Sequence, residues 1–339
     1  LAIDSNDHLH VTYRDYTNGN LEYMTYDGFS WSTPVSLDST DNVGAYSSLA
    51  IDSNDNLHVT YYDNTNANLE YMFSSNSAGG NNTGGNGSGS GGNNTTIISN
   101  VLMFGNSYTS FNSLHSILES LGISNADALT GGGKTLAGHW SDVNSSHVSN
   151  TTLRDPNIDW DYVVLQDQSQ VPGYYRTNAD WIASKDGAVD LAGAITEEGG
   201  ESILLMTWGR RNGDAMNPTL YPNFTVMQER LESGYMDYQS NMTNGGNTVW
   251  MAPVGLAFAH IHDSVVASGL NATLSGNTFY ELYNADGSHP SLAGSYLAAC
   301  VLYATMTGDS PVGSNDTVSL NAILKLELQQ AAAATVFNE

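Results

Sequence analysis

The sequence predicts an α/β fold: a three-layer α/β/α sandwich with a parallel sheet, preceded by a small all-β repeat region. Three observations point there. Short continuous apolar runs alternate with helix-periodic stretches through the C-terminal part, a segment near the N-terminus repeats itself, and a tract of Gly, Asn and Ser lies between them. They divide the chain into residues 1–73, 74–96 and 97–339.

In the first region, Leu1–Met24 returns as Leu49–Met72, a period of 48 residues, with differences only at positions 8, 14, 16 and 19. Within a copy, Leu57–Tyr62 and Leu69–Phe73 read as strands and Ser53–Asn56 as the turn before the first. Several short strands per unit of this period resemble a β-propeller blade. Two copies are too few to close a ring of roughly four to eight blades, so a longer parent protein or another packing is expected. The spacing of Asp52, Asn54, Asn56 and Asp63 invites a calcium-loop reading, but Leu57 stands where such a loop bends at glycine, so a plain turn is preferred.

The second region includes Gly84-Gly85-Asn86-Gly87-Ser88-Gly89-Ser90-Gly91-Gly92. No side chain there can offset the entropy of ordering, and a flexible linker is expected. In the third, Ile97–Phe104, Tyr162–Leu165, Ser202–Met206 and Thr248–Ala252 read as buried strands. Ser113–Leu121, Ala179–Glu198, Asn223–Met242, Ser291–Met306 with Pro290 at its start, and Leu320–Val336 read as helices. Ligands of such sheets bind beyond the carboxyl ends of the strands.

Of the 339 residues, nine are Lys or Arg and 35 are Asp or Glu, a formal charge of -26. Such a surface repels DNA, RNA and anionic lipid, so nucleic acid is not expected as a partner. No apolar run reaches the ~20 residues of a membrane span. The lone Cys300 lies in an apolar helical stretch and reads as a buried small hydrophobe. The chain opens at Leu1 without Met or a signal peptide, as a processed, trimmed or partial chain would. Scarce lysine and recurring Asn-x-Ser/Thr triplets, such as Asn144-Ser145-Ser146 and Asn223-Phe224-Thr225, point to a secreted or cell-surface location.

Chemistry-bearing residues fall at the predicted strand ends. Ser107, in Phe104-Gly105-Asn106-Ser107-Tyr108-Thr109, follows the first strand as the chain turns into a helix, whose N-terminal N–H groups would face a developing oxyanion. Gly105 allows the tight turn. In Asp286-Gly287-Ser288-His289-Pro290, a carboxylate three residues before a histidine can take the imidazole Nδ1–H and leave Nε2 as base for a serine.

With Thr130-Gly-Gly-Gly-Lys-Thr-Leu and Val163-Val-Leu-Gln-Asp-Gln-Ser-Gln between them, these blocks occur in the order of the SGNH (GDSL-like) hydrolases, whose flavodoxin-like sandwich residues 97–339 resemble. The resemblance is to the variant with Asn before the serine. It implies Ser107 as nucleophile, His289 as base and Asp286 as its orienter. It also implies an oxyanion hole of the Ser107 and Gly133 N–H groups and a side-chain amide. The family's amide is Asn; here it is Gln, which carries the same amide on a longer stem, with Gln168 the first choice and Gln166 the second. Trp208 and Asn106 are the candidate substrate contacts. Trp140, Arg210, Tyr174 and Tyr175 could equally line a pocket or cap the sheet.

Two other patterns are set aside. Gly133-Lys134-Thr135 lacks the glycine a phosphate loop needs, which is Ala128. His260-Ile261-His262-Asp263 has no Cys or Glu nearby to complete a metal site and is placed in a loop or helix start, so no metal is expected. The expectation is a cofactor-free serine esterase acting on a small ester or acylated glycan, such as O-acetylated extracellular carbohydrate. The repeats would suit binding a polymer or surface. The alternative is a surface adhesion or binding protein with an inactive hydrolase-like domain.

Overall fold

The computed structural model describes residues 1–3, 8–26, 30–39, 42–51, 57–74, 98–314 and 316–337. The turn at 53–56, Asp52, Asn54 and Asn56 of the calcium reading, and the 75–96 part of the expected linker lie outside these. Contacts divide the chain into two compact units, Leu1–Gly91 and Gly92–Glu339.

In the first unit, β1 (Ala2–Ile3), β2 (Leu9–Asp15), β3 (Asn20–Tyr26) and β4 (Val35–Asp38) form one antiparallel sheet in that order. A second antiparallel sheet holds β5 (Ala45–Ile51), β6 (Leu57–Asp63) and β7 (Asn68–Ser74). The repeat is visible bond by bond. Asp15 Oδ1 accepts the Thr17 N–H at 2.7 Å, and Asp63 Oδ1 accepts the Thr65 N–H at 2.7 Å, each closing the turn between its two strands. Asp63, drawn into the calcium reading, is thus committed to a turn. Gly19 at φ +77° and its counterpart Ala67 at φ +55° both take the left-handed conformation this turn requires.

The second unit is built on a parallel sheet of β8 (Asn100–Gly105), β9 (Asn125–Thr130), β10 (Tyr162–Leu165), β11 (Glu201–Leu205) and β12 (Val249–Ala252), in the order β12-β11-β10-β8-β9. Four strands match the buried apolar runs; β9 was not expected.

The helices are α1 (Ser107–Ser110), α2 (Leu114–Ser120), α3 (Leu136–Val143), α4 (Val148–Leu153), α5 (Ala179–Glu197), α6 (Phe224–Asn244), α7 (Val254–Ala267), α8 (Thr278–Glu281), α9 (Leu292–Thr307) and α10 (Ala322–Phe337). Side-chain alternation along the strands sorts them into layers. Val101 and Met103 of β8 point into one core with α2, α7, α9 and α10. Leu102 and Phe104 point into the other, with α3, α5 and α6. The three-layer α/β/α arrangement is therefore present.

Two local expectations are corrected. Pro290 does not open α9: Ser291 is the cap, accepting the Ala293 and Gly294 N–H groups at 3.1 and 3.3 Å, with Pro290 outside it. The stretch His260–Asp263 lies inside α7, where His262 packs against Phe224 and Phe279. Cys300 is fully buried in α9, and burial pushes its thiol well above the ordinary value. Among the described residues no helix is long and apolar enough to cross a membrane.

Candidate active site

The strand order reverses between β8 and β10, because the chain leaves β8 toward β9 on one side and returns to β10 on the other. A crevice opens at their carboxyl ends. Ser107 follows β8 there, and Gln166–Gln170 follow β10.

Gly105 is dictated by close approach more than by its turn. A Cβ there would come within 2.2 Å of Thr109 Oγ1 and 2.9 Å of Gln166 Oε1. Asn106 caps α1, its Oδ1 accepting the Tyr108 N–H at 3.0 Å. Its Nδ2 donates to the carbonyls of Lys134 and Asp167 at 3.0 and 3.2 Å. Asn106 borders the cavity, and its amide ties the start of α1 to the loops of Lys134 and Asp167.

Ser107 Oγ lies 2.9 Å from His289 Nε2, and His289 Nδ1 lies 2.6 Å from Asp286 Oδ2. Asp286 Oδ1 accepts the N–H groups of Ser288 and His289 at 2.9 and 3.0 Å. Burial raises the Asp286 pKa, but the bond from His289 and these two N–H groups outweigh it, and the carboxyl settles below its ordinary value. An ionised Asp286 can accept Nδ1–H, the arrangement in which Nε2 accepts from the serine hydroxyl. The imidazole stacks on Phe111, with centroids 4.5 Å apart, and meets the Tyr108 ring edge-on at 5.6 Å. Asn112, at φ +55°, donates to the Pro290 carbonyl at 3.2 Å and fixes the chain just after His289.

A cavity of about 250 Å³ opens over Ser107, bordered also by Tyr108, Gly133, Gln168, Ser169, Arg210 and His289. Gly133 has φ +64°, and nothing lies within 4 Å of a Cβ built there. The two glutamines separate. Gln166 is buried, its Oε1 accepting the Asn106 N–H and the Thr109 hydroxyl, both at 2.9 Å, and its amide nitrogen donating to the Asp167 carbonyl. Gln168 borders the cavity, steadied by the Gln170 N–H on its Oε1 at 2.8 Å.

Trp208 is a correction. It is 1% exposed, sandwiched between Tyr108 at 4.7 Å and Phe258 at 4.5 Å, and its Nε1 donates to the Ser288 carbonyl at 3.2 Å. It buttresses the His289 loop from beneath instead of touching the cavity. Arg210 does border the cavity, paired at 2.7 Å with buried Asp214. Trp140, on α3, is half-buried against the core, and Tyr174 and Tyr175 border a second cavity. Lys134, of the set-aside phosphate loop, pairs with Asp142.

Other residues of the site carried no sequence signal. Tyr108 places its hydroxyl 2.8 Å from Ser288 Oγ, and burial pushes its phenol up, so it stays neutral. Arg211, buried, donates its N–H to the Gly287 carbonyl at 2.8 Å and braces the same loop. Asp167, between the two glutamines in the chain, is fully buried. Its carboxylate accepts the Leu136 N–H at 2.9 Å, the Ser184 hydroxyl at 3.1 Å and the Tyr238 hydroxyl at 3.0 Å, and burial pushes its pKa up to about 6. His139, also buried, meets the Gly105 carbonyl with Nε2 at 2.9 Å; burial lowers its pKa to about 4 and keeps it neutral.

No protein-family model and no curated protein matches the chain. Among solved structures it is similar to a DUF4886 family protein from Bacteroides uniformis, with a TM-score of 0.55 at 20% identity over 71% of this chain and 95% of that one. A candidate SGNH hydrolase from Slackia heliotrinireducens is 28% identical over 62% of this chain and 99% of its own, with a TM-score of 0.48. The acetyl xylan esterase AlAXEase is 11% identical over 60% of this chain and 98% of its own, with a TM-score of 0.41. The first likeness is one of fold: the parallel α/β sandwich of the second unit is an architecture already seen.

Proposed function

We propose that this chain is a serine esterase of the SGNH type, cleaving short acyl esters through an acyl-enzyme. The observation that carries this reading is the unbroken relay from Ser107 Oγ through both His289 nitrogens to Asp286, at 2.9 and 2.6 Å.

In this reading Ser107 Oγ attacks the ester carbonyl carbon while its proton passes to His289 Nε2. The carbonyl oxygen gains the negative charge and faces the Ser107 and Gly133 N–H groups and the Gln168 amide. His289 then gives its proton to the leaving alcohol as the C–O bond breaks. Water enters, loses a proton to the same nitrogen, and releases the acid. A cavity of about 250 Å³ supports a small acyl group such as acetyl. Every residue in these steps belongs to the chain.

O-acetyl groups on extracellular carbohydrate are the proposed substrate class, at a secreted or cell-surface location. The 48-residue repeats are proposed to be blade-like modules that hold a polymer or surface, joined to the catalytic unit through residues 74–96.

The direct check is p-nitrophenyl acetate hydrolysis by wild type beside Ser107→Ala and His289→Ala. Turnover should vanish into the background with Ser107→Ala, and fall by roughly 10⁴-fold or more with His289→Ala. Turnover surviving both changes would sink the esterase reading.

A further inference from the structure

Six residues beyond Gln168 on the same loop, Tyr174 borders a second cavity of about 310 Å³, together with Tyr175, Glu229, Arg230 and Ser233. Resting on the esterase reading above, we infer that this cavity is a subsite for a neutral sugar ring of the acylated glycan, lying apart from the ring whose ester meets Ser107.

The frame of the cavity is rigid. Arg176 commits its guanidinium to Asp237 at 2.5 Å, to Ser233 Oγ at 2.9 Å and to the carbonyls of Pro172 and Tyr174 at 3.3 and 3.0 Å. Gly234 of α6 lies against Pro172 so closely that a Cβ would come within 1.8 Å of its carbonyl oxygen. The loop and the helix are thus locked together.

The recognition groups are different in kind. Arg230 donates Nε to the Gly173 carbonyl at 3.0 Å, its guanidinium also reaches the Tyr221 hydroxyl, and among the described residues it has no ion-pair partner. Its guanidinium lies 4.8 Å from the Tyr175 ring centroid, which holds the positive charge and its remaining N–H donors beside the ring at the cavity. Tyr175 is 64% exposed. Glu229 adds an acceptor pair and Ser233 a hydroxyl.

That set matches a sugar. Vicinal hydroxyls are both donors and acceptors, and they bridge the two nitrogens of a guanidinium or the two oxygens of a carboxylate; the C–H face of the ring covers an aromatic face. The charges decide against an anion. Glu229 would repel a carboxylate or phosphate at the mouth, and the chain as a whole carries -26.

The cavity is also coupled to the esterase site. Tyr174 donates its hydroxyl to Gln170 Oε1 at 3.4 Å, and the Gln170 N–H bonds Gln168 Oε1 at 2.8 Å. A ring seated here steadies the loop that carries the amide facing the oxyanion, which a small ester such as p-nitrophenyl acetate cannot do.

The test is calorimetric titration of the full chain carrying Ser107→Ala with neutral xylo-, manno-, cello- and chito-hexaose and with acidic oligogalacturonate. One neutral oligosaccharide should bind, and Tyr175→Ala and Arg230→Ala should each weaken that binding by about 10-fold or more. Glu229→Gln, which keeps the shape, should weaken it less. On an acetylated form of the same oligosaccharide, Tyr175→Ala in the active protein should raise KM while the kcat/KM for p-nitrophenyl acetate falls far less. Absence of binding by every neutral member, binding indifferent to Tyr175 and Arg230, or a preference for oligogalacturonate would each overturn the subsite. Because the titration needs no turnover, a chain that binds the oligosaccharide yet leaves p-nitrophenyl acetate intact would refute the esterase reading alone.

Discussion

Gln166 and Gln168 leave the end of β10 two positions apart, and the structure gives them different work. Gln166 turns back into the core to hold Asn106 and Thr109, while Gln168 borders the cavity. Replacing Gln168 by Ala should lower kcat for p-nitrophenyl acetate by roughly 10²-fold, with a much smaller change in KM, if the amide meets charge that exists only in the transition state. A loss of only a few-fold, measured by steady-state kinetics, would move that role to the backbone alone. Asp286 and His289 could be read together because three residues of one loop separate them, and Ser107 because it follows a strand end, while the meeting of Ser107 with His289, 182 residues away, is made by the fold. The place of Trp208 could not. A tryptophan just past a strand end looks exposed until Phe258 of α7 and Tyr108 of α1 close over its two faces. Asn106 was legible as a neighbour of the nucleophile, but the two bonds its amide nitrogen donates depend on loops distant in sequence.

Among the elements, the apolar strands announced themselves because a sheet covered on both faces selects continuous hydrophobic runs. β9, reading Asn-Ala-Asp-Ala-Leu-Thr, sits at the sheet edge with mostly exposed or half-buried positions, so no such run was required of it. α7 was obscured by Gly255. That glycine is demanded by contact, since a Cβ would fall 2.4 Å from the Thr207 carbonyl oxygen. Asp167 links three elements through one carboxylate: the start of α3, Ser184 of α5 and Tyr238 of α6. Its folded pKa, about 6, stands above its ordinary 3.8, so between these values the folded protein holds a proton that the unfolded chain releases. The contribution of Asp167 to stability therefore falls as pH rises through that window. Asp167→Asn removes this titration. The stability of wild type relative to the variant, from urea unfolding, should decline by on the order of 3 kcal/mol between pH 4 and pH 7. A difference that is flat with pH would show that Asp167 titrates normally. His139, lowered to about 4, acts in the opposite sense in both proteins and cancels from the comparison.

For the whole molecule, the 48-residue repeat and the Gly/Asn/Ser tract are legible in the sequence, and contacts divide the chain into Leu1–Gly91 and Gly92–Glu339. All the residues of the proposed chemistry lie in the second unit. A protein cut to residues 92–339 should therefore hydrolyse p-nitrophenyl acetate with kcat/KM within about twofold of the whole chain. A collapse of activity on truncation would mean that the repeats contribute to the catalytic unit itself. Repeat architecture beyond the two antiparallel sheets was not readable, because blade closure depends on neighbours that two copies do not supply.

The central claim is that Ser107 is a nucleophile activated by His289. Its most direct measurement is intact-protein mass spectrometry after treatment with a fluorophosphonate, followed by peptide mapping. A single phosphonyl adduct on the peptide bearing Ser107, absent in Ser107→Ala and formed far more slowly in His289→Ala, is the predicted result. An unmodified protein, or an adduct that forms equally well without His289, would contradict it.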